Sequence, residues 1–153
     1  RALHYGRYGK SAEDARMWPM YIGYWDLVRG YESFNFGNQQ ELSEFDINRL
    51  YGSKMIIANA EIRFPLFRVL GIGKGYYGPF PIEAFGFYDW GLAWDSTDKA
   101  YFLGGGTRKP VTSAGFGVRT NLFGYLIIGL NYVYPFQRPS KGWHFQLSIS
   151  PGF

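Results

Sequence analysis

Trp143, His144, Phe145, Gln146, Leu147, Ser148, Ile149, Ser150, Pro151, Gly152 and Phe153 form the stretch whose reading decides the fold. Its odd positions are apolar and end on an aromatic, while its even positions are His, Gln, Ser, Ser and Gly. Successive side chains of a strand point to opposite faces, so one face must meet an apolar medium and the other a polar one. Upstream, Leu126, Ile128, Leu130, Tyr132, Tyr134 and Phe136 share one parity, opposite Tyr125, Ile127, Gly129, Asn131, Val133 and Pro135. A short turn at Phe123 and Gly124 joins this strand to an earlier one, in which Thr112, Ala114, Phe116, Val118, Thr120 and Leu122 oppose Ser113, Gly115, Gly117, Arg119 and Asn121.

Two earlier segments follow the same rule. From Lys54 to Leu66, Ile56, Ala58, Ala60, Ile62, Phe64 and Leu66 form an apolar face opposite Asn59, Glu61 and Arg63. From Ile82 to Trp94, Tyr88, Trp90, Leu92 and Trp94 lie opposite Glu83, Asp89 and Gly91, although Phe85 and Phe87 blur the alternation. With Ala2 to Tyr8 this makes six strands, most of them roughly 9 to 13 residues long, where globular strands average about 5–6 and a tilted membrane-crossing strand needs about 9–11. The fold class is therefore all-β: the C-terminal six strands or so of an antiparallel transmembrane β-barrel, with residues 1–153 as one piece of it. The soluble alternative, a sandwich or ligand-binding barrel burying the same face in its own core, would need unusually long strands.

The connections agree with this reading. Gly9 to Ser53, Asp95 to Pro110 and Gln137 to Gly142 fall at one end, whereas Phe67 to Pro81 and the Phe123–Gly124 turn fall at the other. Long loops on one side and shorter turns on the other is the asymmetry of outer-membrane barrels. Six strands are fewer than the eight of the smallest bacterial barrels, so closure requires further strands. The chain opens on Arg1 within an extended segment, as a fragment would.

Composition excludes several functions. The chain has no cysteine, which removes disulfides, thiolate zinc sites and cysteine nucleophiles. It has no apolar run long enough for a spanning helix. The pI of about 9.3 reflects a net charge of +4 scattered over nearly every segment, without the basic stripe that nucleic acid requires. Glu61, Glu83, Asp89, His4 and His144 show no spacing that implies a catalytic cleft, so no enzyme is expected. The GxGxxG string from Gly73 to Gly78 precedes Pro79, Phe80 and Pro81 instead of a helix and reads as a glycine-rich turn, so no cofactor is expected.

The loop at residues 9–53 is rich in aromatics between Trp18 and Phe36, which argues against disorder. Within it, Val28, Arg29, Gly30 and Tyr31 resemble the VRGF/Y loop motif of the BamA and TamA type of outer-membrane assembly and translocation barrels, the bacterial surface antigen barrels. Asn59, Ala60, Glu61, Phe64 and Pro65 follow in order, then Phe87, Tyr88, Asp89, Trp90 and Gly91, and the chain closes on an alternating strand ending in Phe153. The resemblance covers the whole chain. It implies that Arg29 folds back into the lumen and pairs with Glu61 and Asp89, with water in the lumen reducing the worth of the pair toward the roughly 0–1 kcal/mol of exposed ion pairs. It also implies that Phe145, Leu147, Ile149 and Phe153 act as a C-terminal strand signal. Pro151 departs from the pattern, because it removes a backbone donor from the final strand.

The function so implied is non-enzymatic insertion or translocation of outer-membrane proteins, in the bacterial outer membrane. Expected partners are the membrane lipid, the rest of the barrel, and client outer-membrane proteins or assembly-machinery subunits. A structural or pore barrel anchoring a separate periplasmic or surface domain is the alternative.

Overall fold

A computed structural model describes residues 1–6, 19–32, 45–74, 81–95, 100 and 108–151. Its main element is an all-antiparallel sheet of six strands: β1 (Ala2–Gly6), β4 (Lys54–Pro65), β5 (Ile82–Trp94), β6 (Val111–Leu122), β7 (Leu126–Pro135) and β8 (His144–Pro151). They pair in that spatial order, and among the described residues the sheet stays open, with β1 and β8 at its two edges. Two short strands, β2 (Met20–Tyr21) and β3 (Tyr51–Gly52), pair with each other and belong to the long loop. That loop is thus not without secondary structure, since it also carries a 3-10 turn over Ile47–Leu50.

Each long strand sits where its alternation predicts it. The register pairs Asn59 with Asp89, Glu61 with Phe87, Glu83 with Arg119, Gly117 with Asn131, and Asn131 with Gln146. Opposed residues share a face in an antiparallel ladder, so this register gathers the polar parities of five strands on one side. The other side is apolar and uncovered: Ile62 is 77% exposed and Phe145 is 70% exposed, and Phe64, Phe116, Val118, Leu130, Leu147 and Ile149 are exposed with them. Large apolar side chains left in the open over one whole face of a sheet mark a surface made for an apolar partner. Near the loop end of that face Tyr132 stacks on Trp143 with ring centroids 4.9 Å apart, and Phe116, Tyr134 and Phe145 pack around them.

The opposite face differs from the sequence reading at one end. Its loop end is apolar: Met55, Ile57, Ala93 and Val111 are buried beneath Ile22, Val28, Tyr31, Phe45 and Leu50 of the loop. The loop folds down onto the sheet and makes a small core there. Phe85 and Phe87, which blur the alternation, keep the parity of Glu83 and Asp89. They belong to this face, not to the apolar one, and their rings lie over glycines, since a Cβ at Gly117 would come within 2.8 Å of the Phe85 ring and one at Gly115 within 2.7 Å of the Phe87 ring. Asn131 is also on this face and is packed, only 3% exposed.

At the turn end, Phe123 and Gly124 take φ of 56° and 81°, and the Tyr125 N–H donates to the Leu122 carbonyl at 3.1 Å. Positive φ at both central residues matches the twist of a two-residue hairpin. Between β4 and β5, Leu66–Val69 form one helical turn where the strand was expected to run on to Leu66. Pro65 ends the ladder, and the Gly71 and Ile72 amides then bond back to Arg68 and Phe67 as helix C-termini commonly do. The Gly73–Gly78 string lies partly outside the described residues, as do Tyr8 and Phe153.

Candidate functional site: a loop locked to the sheet

The loop motif is held one residue at a time. Val28 is fully buried over Gly91, where a Cβ would meet Val28 Cγ2 at 2.5 Å. Only glycine leaves room for the loop to come down at that place. The descent is pinned by the Val28 N–H, which donates to the Ile22 carbonyl at 3.1 Å. Gly30 has φ of +88°, a conformation that costs most residues strain, and its carbonyl accepts from Arg138 Nη1 at 3.1 Å. The turn at Gly30 lets Arg29 point one way along the sheet while Tyr31 points the other.

Arg29 reaches both carboxylates that the motif resemblance paired with it. Its Nε donates to Asp89 Oδ2 at 2.7 Å and its Nη2 to Asp89 Oδ1 at 2.9 Å, the planar fork matching both carboxylate oxygens. The Arg29 backbone N–H adds a longer contact of 3.3 Å to Asp89 Oδ2, and Nη1 donates to Glu61 Oε2 at 3.2 Å. Asp89 is 0% exposed. Its remaining donor is Asn59 Nδ2 at 2.9 Å, which also reaches the Leu27 carbonyl at 2.6 Å. Underneath, the guanidinium carbon sits 3.5 Å from the centroid of the Phe87 ring. A desolvated cation over an aromatic face is favoured by the ring quadrupole, so Phe87 belongs to the site.

The ion pairs continue toward the turn end. Glu61 Oε1 accepts from Arg63 and, at 3.4 Å, from Arg119 Nη1. Arg119 in turn directs Nε and Nη2 to Glu83 Oε2 at 2.9 and 2.8 Å. Glu61, Glu83 and Asp89, the carboxylates that the described strands place on this face, are therefore each engaged by arginine. Beyond Arg29 a cavity of about 410 Å³ opens between Glu61, Phe85, Arg119, Asn131 and Ser148, so the space beside the lock is polar-walled.

Tyr31 closes the motif in the direction of β6 and β7. Its hydroxyl lies 2.9 Å from the Thr112 carbonyl and 2.6 Å from Gln137 Oε1, and it accepts from the Gln137 N–H at 3.2 Å. Burial pushes the phenol up to about 12. Tyr21, which donates to the Tyr31 carbonyl, is raised further, chiefly by burial as well.

Arg29, Glu61 and Asp89, which the resemblance pairs, come together at one site; Phe87 joins them as a motif residue with no expected role, and Arg119, Gln137, Arg138 and Gln146 join them without any motif to mark them. Arg119 and Gln146 have the right parity, but parity alone cannot show that a loop comes within reach of them. The signal for a docked loop is present where both parities turn apolar, at Met55–Ile57 and Leu92–Ala93, since a strand coated on both faces is buried on both. Of the expected strand signal, Phe145, Leu147 and Ile149 line the exposed apolar face of β8, while Phe153 lies outside the described residues. Pro151 pairs with Leu126 at the very end of the ladder, where a missing donor interrupts little.

Long antiparallel strands with an uncovered apolar face, a polar opposite face and a loop ion-paired to that polar face define a membrane-type β-sheet with an inward-folded loop. The Omp85 superfamily domain matches residues 20–153. The chain belongs to that superfamily, whose proteins reside in outer membranes and serve protein insertion and translocation. No match was found among curated proteins or among solved structures.

Proposed function

We propose that this chain forms the C-terminal part of a barrel in a bacterial outer membrane that inserts or translocates outer-membrane proteins without enzymatic chemistry. The observation that carries the reading is the Arg29 fork on Asp89 with its arm to Glu61, built from a loop that folds onto the polar face of the sheet. A passive pore gains nothing from filling its own lumen with a loop bound this firmly. A barrel whose wall must yield while its shape is kept needs an internal brace. The uncovered face of Ile62, Phe116, Leu130, Leu147 and Ile149 then meets lipid, and the remaining strands of the barrel meet the edges at β1 and β8. In this reading the open edge of β8 borders a weak lateral seam at which a client strand pairs by β-augmentation.

The test is depletion of the full-length protein in its own bacterium, followed by complementation with wild type or Arg29→Ala. Loss of folded, heat-modifiable outer-membrane proteins on depletion, restored by wild type and poorly by Arg29→Ala, supports the reading. Normal levels of every outer-membrane protein, with loss only of a domain carried on the same polypeptide, would refute it in favour of an anchoring barrel.

A further inference from the structure

Arg29, Gly30, Tyr31 and Glu32 are consecutive, yet they hold different parts of the sheet. Arg29 grips β4 and β5 through Glu61 and Asp89. Tyr31 reaches Thr112 at the start of β6 and Gln137 just past β7, and the Gly30 carbonyl takes Arg138, a side chain only 1% exposed. Glu32 goes furthest: its Oε1 accepts from Nε2 of Gln146, on β8, and each of these two residues is 3% exposed. Neighbouring strands lie about 4.8 Å apart, so the span along the sheet from β5 to β8 is roughly 14 Å, and the turn at Gly30 sends the Arg29 and Glu32 side chains to its two ends. A tie held by buried contacts at both ends limits how far the sheet can curve or flatten between them.

Among the described residues β8 has a backbone ladder only on its β7 side. In the seam reading above its other edge is only weakly paired, so its position depends chiefly on the β7 ladder and on what holds its polar face. We infer that Glu32 and Gln146 form a latch through which the loop sets the position of β8, making Glu32 a positioning residue for the edge of that strand. Arg29 anchors the tie at its far end, and Glu32 holds the strand that moves. The consequence for client pairing rests on the reading above, in which β8 borders the seam.

The experiment uses the full-length protein in lipid nanodiscs, with nitroxides at Tyr88 and Ile149 reporting the distance from β5 to β8 across the outer face. A second pair at Asp26 and Phe116 reports whether the loop stays down. Gln146→Glu sets one carboxylate against another and is expected to lengthen and broaden the first distance while leaving the second unchanged. The exchange Glu32→Gln with Gln146→Glu returns an amide–carboxylate pair with the roles reversed and is expected to restore the narrow distribution. An unchanged β5–β8 distance in Gln146→Glu, or a broadening that the exchange does not repair, overturns the latch. Loss of loop docking along with the strand shift overturns it too, because the strand would then be holding the loop. Client-folding rates measured on the same variants keep the two proposals apart: distances that respond while rates do not leave the latch standing and remove its role in insertion.

Discussion

Replacing Arg29 with alanine strands a carboxylate that has no access to water. Asp89 is 0% exposed, and the substitution removes both of its guanidinium contacts, at 2.7 and 2.9 Å, leaving Asn59 Nδ2 at 2.9 Å and a backbone N–H at 3.3 Å. Breaking one side of a buried ion pair costs about 3–5 kcal/mol, most of it the penalty of the charge left behind. The Glu61 arm adds less, roughly 0–1 kcal/mol, because that carboxylate is partly exposed and keeps Arg63 and Arg119. The burial of Asp89 thus moves the expectation well above the exposed-pair figure that a water-filled lumen implied. At about 1.4 kcal/mol per factor of ten, loop docking should weaken by 10² to 10³-fold or more. Hydrogen exchange at the Val28 amide, bonded to the Ile22 carbonyl at 3.1 Å, reports the opening directly. Asp89→Ala removes the stranded charge, so the double variant should cost clearly less than the two singles together, with a coupling of about 2 kcal/mol or more. Unchanged Val28 protection in Arg29→Ala, or single effects that add to within roughly 0.5 kcal/mol, would show that Asp89 is solvated when the loop leaves and would refute the argument.

Further outcomes follow from the same geometry. Gly91→Ala should weaken loop docking by about 1–3 kcal/mol, since its Cβ would come within 2.5 Å of the stiff Val28 side chain, and restoration by Val28→Ala in the same exchange assay checks the cause. Arginine at Leu130, midway along β7 on the uncovered face, should cost about 2–4 kcal/mol of membrane-embedded stability, and a nitroxide there should favour oxygen over water-soluble nickel while one at Ser148 does the reverse. With the Tyr31 phenol raised to about 12, its stabilisation of the docked loop is complete below the ordinary value of 10.0 and is lost as pH rises through about 12; exchange at Val28 should accelerate over that interval in wild type and change less in Tyr31→Phe. Deleting Phe153 should reduce the amount of protein inserted in cells more than the denaturant midpoint of protein already inserted, and equal insertion of both forms would remove the signal role.

The strands were legible because each carries one apolar and one polar parity over a length that a membrane sets, and ladders in a simple up-and-down order leave little freedom in register. β5 through β7 begin and end within a residue or so of where alternation placed them, and β8 begins within a residue of it. Phe85 and Phe87 were misleading for a physical reason: an aromatic on a polar face is anomalous until the neighbouring strand offers Gly117 and Gly115 for the rings to cover, and cross-strand neighbours are not visible in one strand read alone. The Arg29–Asp89–Glu61 cluster could be reached from the motif and parity together. Its continuation through Arg119 to Glu83 could not, because an arginine on the polar face has several carboxylates within side-chain reach, and only the register selects among them.

The loop binds through two surfaces with different tasks. Ile22, Val28, Phe45 and Leu50 press on Ile57, Ala93 and Val111, and burial of this kind supplies affinity without demanding one orientation. Arg29, Tyr31 and Glu32 add little net energy, because most of what their bonds gain is spent in desolvating the groups that make them. What they impose is a cost for every other arrangement. If the loop slides by a single residue, Asp89 loses its fork, Gly91 meets a larger shape than Val28, and Gln146 leaves Glu32 with one donor fewer. A barrel of strands joined only by ladders can shear and flatten with little change in apolar contact. A loop that tolerates one register couples the two ends of this sheet, so β8 is joined to β4 and β5 through residues 29–32 as well as through the ladders between them.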